Sequence, residues 1–474
     1  MQRFVSVSGK GLSLFATYAV EYGAPFVRMI ILSHALSLTE LGTASALMVT
    51  YATFEQVTDI AIFRFVYSSP REKFAEALAS AHALSLLRGV FVGALALALA
   101  PFAARLFGSE LDVQSFRLLG LVVFLRSFEN LEPRVAERDY QYGPQLKLNL
   151  ISNGLGLLVM TGVALATRSH AAIVASLLAQ SLGALLASHA LSKQHYRLVF
   201  RSPFFKAGWR FAYPLMFNGL GLATTALGDR FVVGAFFGVE TLAIYSVSML
   251  ATVIPISFVA KVGNSLCQAA LYNASATRPR FVARLRFMAR LTPLVAASYG
   301  LGIVALANDV IGLVFGKVFM VDYPIIVLLA LGAFFKIAHL EPLISLLLHE
   351  FRTAALAAAN LSSISGLVVG AALSLLSRSL GSALLGRLVG EIACLWTMFT
   401  LAAEAMGEAK RDFLVSGAAA LAALVAACAL VFILHAEGAL TMRLAVCGTL
   451  ALLFAAWTAV RTWPFVRAGF GKGE

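Results

Sequence analysis

Long apolar stretches separated by short polar connections run through the whole chain. A membrane-spanning helix needs about 20 mostly apolar residues, and the chain contains about 14 such stretches. Charged residues interrupt the second and fourth of them. The pattern predicts an all-α polytopic membrane protein with spans at 11–33, 40–63, 81–107, 114–133, 147–167, 171–192, 212–236, 240–266, 288–315, 321–348, 354–376, 381–404, 413–435 and 443–462.

The composition agrees with a membrane location. Of the 474 residues, 60% are hydrophobic and only 13% are charged, and the formal net charge is +13. A soluble protein of this size cannot bury so much apolar surface. The basic residues lie between apolar stretches rather than in one solvated block, which argues against nucleic-acid binding. The four cysteines are scattered singly, so we predict neither a metal site nor a disulfide framework.

Lysine and arginine are concentrated in alternate connections, which fixes a predicted orientation. Arg64, Arg71 and Lys73 follow the second span, and several arginines precede the ninth. The opposite connections hold few basic residues. Cytoplasmic loops carry the excess of Lys and Arg in membrane proteins. The sequence therefore predicts an even number of spans with both termini in the cytoplasm.

The longest cytoplasmic connection divides the chain. Residues 196–211 mix basic and aromatic side chains, as expected of an amphipathic linker that lies on anionic lipid. The division predicts an N-terminal six-helix lobe at 1–195, a C-terminal six-helix lobe at 212–405, and two further helices with a cytoplasmic tail at 406–474.

A short internal repeat supports two lobes of like topology. Asn149 and Ser152 recur as Asn360 and Ser363, each pair separated by 211 residues. Parallel repeats of this kind are a transporter arrangement, in which the substrate site lies at the repeat interface.

Ionisable residues within the spans are the candidate functional groups, because charge at membrane depth is costly unless it faces a polar interior or a partner. Arginine holds phosphate through two parallel hydrogen bonds and stays charged. We therefore predict a cavity whose cations bind an anionic lipid headgroup. Candidate cations are Arg28, Lys261, Lys336, Arg230 and Arg126; candidate coupling or structural acids are Glu21, Glu55, Asp59, Asp229 and Glu341.

Arg28 is the strongest candidate among the cations. It lies within the first span and follows Pro25, which can open a helix that lines a cavity. The alternative interpretation is that the charges form structural salt bridges between helices. That alternative is strongest for Arg387 and Glu391, which are four residues apart on one helix face.

Catalytic and nucleotide-binding motifs are absent from the sequence. It contains no P-loop, no HExxH motif and no catalytic-triad spacing. We therefore predict a transporter without catalytic residues, ATPase activity, metal or cofactor. A Na⁺ or H⁺ gradient, the membrane potential or the substrate gradient would then drive transport.

Three segments resemble a known family. They are Gly228-Asp229-Arg230-Phe231-Val232-Val233-Gly234, Ala243-Ile244-Tyr245-Ser246-Val247, and Thr58-Asp59-Ile60-Ala61-Ile62-Phe63-Arg64. Their order and positions are similar to motifs of the bacterial polysaccharide-export flippases (O-antigen and exopolysaccharide) of the multidrug/oligosaccharidyl-lipid/polysaccharide (MOP) exporter superfamily. Ala61 and Ala243 stand where that family has glycine.

The resemblance implies two pseudo-symmetric six-helix bundles around a central cavity, with two extra C-terminal helices, in the bacterial inner membrane. It implies alternating-access transport of undecaprenyl-diphosphate-linked oligosaccharide to the outer leaflet, in company with polymerase and export machinery. Asp59, Arg64, Asp229 and Arg230 occupy motif-matched positions. Arg28, Lys261 and Lys336 are predicted from chemistry alone.

Three other functions stay open from the sequence. A peptidoglycan-precursor flippase or a cation-coupled multidrug exporter of the same superfamily would share the architecture, although the excess of arginine argues against a carrier of cationic drugs. A polytopic membrane glycosyltransferase or polymerase needs a sizeable outer loop with catalytic acids, and the outer loops here are short.

Overall fold

The fold comes from a computed structural model that describes residues 2–58, 62–108, 112–139, 141–274, 278–339, 343–350 and 352–470. All regular secondary structure within these ranges is helical. They contain nine helices that are long and apolar enough to cross a membrane. The predicted all-α polytopic architecture is confirmed.

The first half of the chain forms eight α-helices in one compact unit, unit 1, which comprises the described residues up to Ala223 together with Val233–Ala243. The helices are α1 (Gln2–Ala35), α2 (Leu38–Val57), α3 (Ile62–Ser68), α4 (Phe74–Leu106), α5 (Val113–Arg126), α6 (Glu132–Val135), α7 (Gly143–Thr167) and α8 (Ala171–Leu191).

The long helix α9 (Pro203–Ala274) follows, and the rest of the chain belongs to unit 2, made of Thr224–Val232 and the described residues from Ile244 onward. Its remaining helices are α10 (Arg278–Val314), α11 (Tyr323–His339), α12 (Ser345–His349), α13 (Thr353–Ser362), α14 (Ile364–Ser377), α15 (Leu380–Met406), α16 (Ala409–Ile433) and α17 (Leu440–Phe470).

A single glycine separates the seventh and eighth predicted spans. The helical path of α9 breaks at Gly238, whose φ is 80° and ψ is 174°. Glycine adopts such a conformation because it has no Cβ. Val239, the next residue, packs closely against α2 within unit 1. A Cβ added to Gly42 of α2 would lie 2.0 Å from the carbonyl oxygen of Val239, so only glycine fits at position 42.

The two spans interrupted by charge are shorter than predicted. Helix α5 has only 14 residues and ends at Arg126, before Glu129 and Glu132. Helix α2 ends at Val57. Within the tenth predicted span, α11 ends at His339, residues 340–342 lie outside the described ranges, and a π-helical turn at 343–344 leads into the helix that begins at Ser345.

The repeat in sequence has a counterpart in backbone conformation. Arg168 caps the C-terminus of α7 and Arg378 caps the C-terminus of α14, and both arginines are left-handed, with φ of 51° and 47°. Left-handed non-glycine residues are uncommon. In each unit this arginine begins the short turn into the next long helix.

Small residues bring these paired helices together. In unit 1, Ser176 of α8 donates to the carbonyl oxygen of Gly156 on α7 at 3.0 Å. In unit 2, the helices α14 and α15 meet at Gly366, Gly370 and Gly386. Membrane helices use small residues in this way because close backbone approach supplies their packing energy.

The connection between α8 and α9 packs against unit 1. Tyr196 stacks on the buried His82 with ring centroids 4.5 Å apart. The Val199 amide donates to Ala79 O at 3.3 Å, and the Ser202 hydroxyl donates to Glu76 at 2.9 Å. Burial raises the pKa of the Tyr196 hydroxyl to about 12.

Candidate substrate-binding site

Arg28 is a buried cation with a neutral partner. Its side chain lies on α1, and only 8% of the residue is exposed. One guanidinium nitrogen donates to Gln180 Oε1 of α8 at 3.2 Å. The Arg28 Nε atom is buried and has no acceptor, and no carboxylate lies within 4.0 Å, among the residues that the structure describes. A buried charge ordinarily has an ionic partner, so Arg28 is a candidate for binding an anion.

A series of hydrogen-bonded amide side chains connects Arg28, through Gln180 of α8, to α7. Gln180 Nε2 donates to Asn153 Oδ1 at 2.8 Å, and Asn153 Nδ2 donates to the carbonyl oxygen of Asn149 at 2.9 Å. Gln145 Nε2 donates to Asn149 Oδ1 at 3.0 Å. Our sequence reasoning missed these amides as functional candidates. The signal was the spacing of Gln145, Asn149 and Asn153, which is one per helical turn inside an apolar span.

Two other candidate charges of unit 1, Arg126 and Glu55, have charged partners. Arg126 donates from Nε to Glu129 at 3.2 Å and from NH1 to the Tyr51 hydroxyl at 2.8 Å. Glu55 accepts from Arg88 at 3.1 Å. These contacts have the geometry of structural ion pairs.

Unit 2 holds a buried charge cluster, which we define as Asp229, Tyr245, Lys336, Arg387 and Glu391. Asp229 Oδ2 accepts from Arg387 NH1 at 2.5 Å and from the Tyr245 hydroxyl at 2.6 Å. The Arg387 NH2 atom lies 3.4 Å from Glu391 Oε1, so the predicted pair forms. Lys336 Nζ lies 3.5 Å from the same oxygen. Lys336 and Arg387 therefore neutralise the carboxylates of Asp229 and Glu391.

A small cavity of about 20 Å³ adjoins this cluster. Its polar lining includes Asp229, Arg387 and Glu391, together with Thr225 and Ser363, whose hydroxyls are 2.7 Å apart. Such a volume holds about one water molecule. The cavity is therefore too small for a lipid headgroup.

Arg230 follows Asp229 directly and contacts it through the backbone. The Arg230 amide donates to Asp229 Oδ1 at 2.8 Å, and the Arg230 Nε atom is buried without an acceptor in the described part of the chain. Glu21 is exposed and lies seven residues, about two turns, before the buried Arg28 on α1.

Three sequence candidates cannot be placed. Asp59 and Glu341 lie outside the described residues, and so does the side chain of Lys261 on α9. Within the described ranges, no group of three or more His, Cys, Asp or Glu residues could hold a metal ion.

The helical architecture of the described residues is that of a polytopic membrane protein. A family model described as "Polysaccharide biosynthesis protein" matches residues 31–324, and the chain belongs to this family. None of the curated protein sequences is significantly similar to it.

Solved structures with the same fold are transporters of the MOP superfamily. The lipid II flippase MurJ in an inward closed conformation is 15% identical, with a TM-score of 0.61 over 95% of this chain and 99% of the MurJ chain. An inward-facing multidrug resistance MATE transporter is 14% identical, with a TM-score of 0.62 over 83% and 95% of the two chains. A Pyrococcus furiosus MOP transporter, whose reversed binding-pocket polarity suggests a different function, is 17% identical, with a TM-score of 0.54 over 84% and 95%.

The chain is therefore a multi-pass membrane protein of the polysaccharide biosynthesis family, and it has the fold of the lipid II flippase MurJ and of MATE transporters. The predicted family is confirmed. The solved structures named above are a flippase and transporters.

Proposed function

We propose that the protein is a flippase for undecaprenyl-diphosphate-linked oligosaccharide repeat units. It moves them by alternating access across the bacterial inner membrane, from the cytoplasmic to the outer leaflet, for polysaccharide export. Both termini lie in the cytoplasm. Membership of the polysaccharide biosynthesis family and the distribution of Lys and Arg between connections support this proposal.

The observation that carries the proposal is the state of Arg28. Arg126, Lys336 and Arg387 each contact a carboxylate, whereas Arg28 contacts the neutral amide of Gln180. A diphosphate group would supply the negative partner that the Arg28 cation lacks. Hydrogen bonds between two ionised groups are stronger than those between neutral groups. A neutral amide partner lets the arginine release the anion again.

Energy coupling is part of the proposal. A Na⁺ or H⁺ gradient would drive the cycle, without a cofactor. Glu55 and Asp229 already have arginine partners, and Glu21 is an exposed carboxylate with no ion pair within the described ranges. Glu21 is therefore the coupling residue that we propose. Anionic lipids, a polysaccharide polymerase and the export machinery are the proposed partners.

The test measures transport in proteoliposomes. The probe is a fluorescent polyprenyl diphosphate carrying an oligosaccharide, and the reading is the rate at which it becomes accessible to an external quencher. Arg28→Ala should lower the initial rate about 10- to 100-fold, the loss expected when a hydrogen bond to a charged group is removed. Arg28→Lys should retain part of the rate, because the charge remains while the two-point geometry is lost.

The matched control is Arg117→Ala, which removes an exposed arginine from α5. It should transport at the wild-type rate. A wild-type rate in Arg28→Ala, with the protein correctly inserted, would refute the role assigned to this arginine.

A second candidate function is transport of a lipid-linked peptidoglycan precursor. The shared fold with the lipid II flippase MurJ favours it, and the diphosphate of such a lipid could meet the same arginine. Purified lipid II in the same assay distinguishes the two candidates. Faster transport of lipid II than of the oligosaccharide probe would favour the precursor flippase.

A further inference from the structure

The amides beside Arg28 form one continuous hydrogen-bonded chain, which we call the amide ladder: Gln145, Asn149, Asn153 and Gln180. Arg28 is its end member. Three of its four links join two side chains. Such links are a small minority of protein hydrogen bonds, about 10–15%. A run of them inside membrane-spanning helices calls for a specific cause.

The amide ladder faces away from lipid. Asn149 and Leu158 are nine residues apart on α7, which is about two and a half turns, so they lie on opposite sides of the helix. Leu158 is 73% exposed, as expected of a lipid-facing residue. The ladder residues of α7 lie on the helix face opposite Leu158, and they are still only half-buried. Their accessible surface therefore faces the protein interior.

The ladder also keeps hydrogen-bonding capacity in reserve. The Gln145 Oε1 atom and the Arg28 Nε atom are buried without a partner within the described ranges. Asn149 accepts a hydrogen bond through Oδ1, while its amide nitrogen makes none within those ranges. Buried polar groups are nearly always satisfied in a resting protein. The two ends of the ladder therefore carry polar groups that no described protein group bonds, and these groups can bond a ligand.

We propose that the amide ladder binds the hydroxyl groups of the carried sugar while Arg28 binds the adjoining phosphate. This inference rests on the proposed flippase function and assigns a second part of the same substrate. Amides supply donors and acceptors together, as do sugar hydroxyls. They are also neutral, so they hold a glycan without a Coulombic attraction that would slow its release.

The dimensions of the ladder suit an extended ligand. Gln145 and Asn153 are eight residues apart on α7, so the ladder extends about 12 Å along the helix axis. Gln180 and Arg28 continue it onto α8 and α1. The phosphate end and the sugar end of the ligand are thereby assigned to opposite ends of one polar track.

The test compares two probes in proteoliposomes. One is a fluorescent polyprenyl diphosphate to which sugars have been added by a membrane extract of the bacterium that makes this protein. The other is the same lipid diphosphate without sugar. The variants are Asn149→Leu and Gln145→Leu, which replace an amide by an apolar group of similar size. With the glycosylated probe we expect a rate at least about tenfold lower, and with the bare probe a change below about twofold.

Controls separate binding from folding. Thr161→Val alters another polar residue of α7. Among the described residues its hydroxyl bonds only its own helix, at the Leu157 carbonyl oxygen, so the variant should transport both probes normally. Arg28→Ala should impair both probes. Equal losses of both probes in Asn149→Leu and Gln145→Leu would mean that the ladder only holds helices together, and would overturn the inference.

Two other outcomes are also decisive. If both ladder variants transport the glycosylated probe at the wild-type rate, the ladder does not bind sugar and the inference fails, while the proposed function stands. If the wild-type protein transports neither probe, the proposed function fails, and the inference fails with it.

Discussion

Gly386 of α15 and Gly370 of α14 are in backbone contact. A Cβ placed on Gly386 would lie 2.2 Å from the Cα of Gly370. Gly366 and Gly390 continue the same contact, since a Cβ on Gly366 would lie 2.6 Å from the Cα of Gly390. The two helices can approach this closely because none of these four residues has a side chain.

Gly386→Ala should therefore destabilise unit 2. The added methyl group meets backbone atoms that cannot turn aside, and overpacking of this kind costs about 1–3 kcal/mol. Thermal unfolding of the purified protein in detergent would measure the loss. Gly162→Ala is the matched control, because a Cβ there meets nothing within 4 Å. An unchanged unfolding temperature for Gly386→Ala would contradict the close contact.

Asp229 and Arg387 should show strong energetic coupling. Removing one member of a buried ion pair leaves an uncompensated charge, which costs about 3–5 kcal/mol. We expect Arg387→Met to destabilise the protein by about that amount. The double variant Asp229→Asn with Arg387→Met should lose less than the sum of the single variants, because no carboxylate is then stranded at 229. Additive losses in this cycle would show that the pair is not coupled.

Tyr196 predicts a pH dependence. Its hydroxyl is buried without a partner among the described residues, and burial raises its pKa to about 12. An unfolded tyrosine ionises near pH 10. Tyr196 therefore affects the pH dependence of the unfolding free energy only above about pH 10. Between about pH 10 and 12 the unfolded chain loses the Tyr196 proton and the folded protein retains it, so the stability of the folded state falls.

Tyr196→Phe should remove this contribution. At pH 8 the variant should be at least as stable as the wild type, because phenylalanine leaves no buried hydroxyl unsatisfied. Between about pH 10 and 12 its advantage should grow. Unfolding temperatures at pH 8 and pH 11 would measure the difference, and a constant difference across this range would be inconsistent with the raised pKa.

Asp412 should anchor α16 to α10. Its carboxylate accepts from Arg286 Nε at 2.6 Å and from Arg290 NH2 at 2.7 Å. Since the Asp412 side chain is only 6% exposed, Asp412→Ala should cost about 3–5 kcal/mol. Glu408→Ala is the control: Glu408 also contacts Arg286, but its side chain is 77% exposed, so little change is expected. Similar losses in the two variants would argue against the importance of burial.

The hydrophobic pattern predicted the long helices but not the short helices α3 and α6, and the limits of the interrupted spans depended on charge. A window of about 20 apolar residues marks a span regardless of its neighbours. The pattern cannot show where a charged residue ends the helix, so α5 stops at Arg126 rather than continuing to 133. The joint between two spans at 236–240 was correctly placed, because the chain is less apolar there and contains Gly238.

The candidate site was predictable only where partners are close in sequence. Arg387 and Glu391 are one helical turn apart, so their pairing followed from spacing. The contact of Arg387 with Asp229 joins residues 158 positions apart, and no local pattern encodes it. The environment of Arg28 was likewise hidden, because Gln180 lies 152 residues further along the chain.

The matching left-handed arginines are consistent with an origin of the two units by duplication. Arg168 and Arg378 close equivalent helices in the two units with nearly the same backbone angles. A duplicated ancestral gene would give each half this unusual ending. The polar residues of the two hairpins differ: α7 carries uncharged amides, whereas α15 carries Arg387 and Glu391 of the charge cluster. One helical hairpin with one type of ending therefore accommodates two different sets of polar side chains.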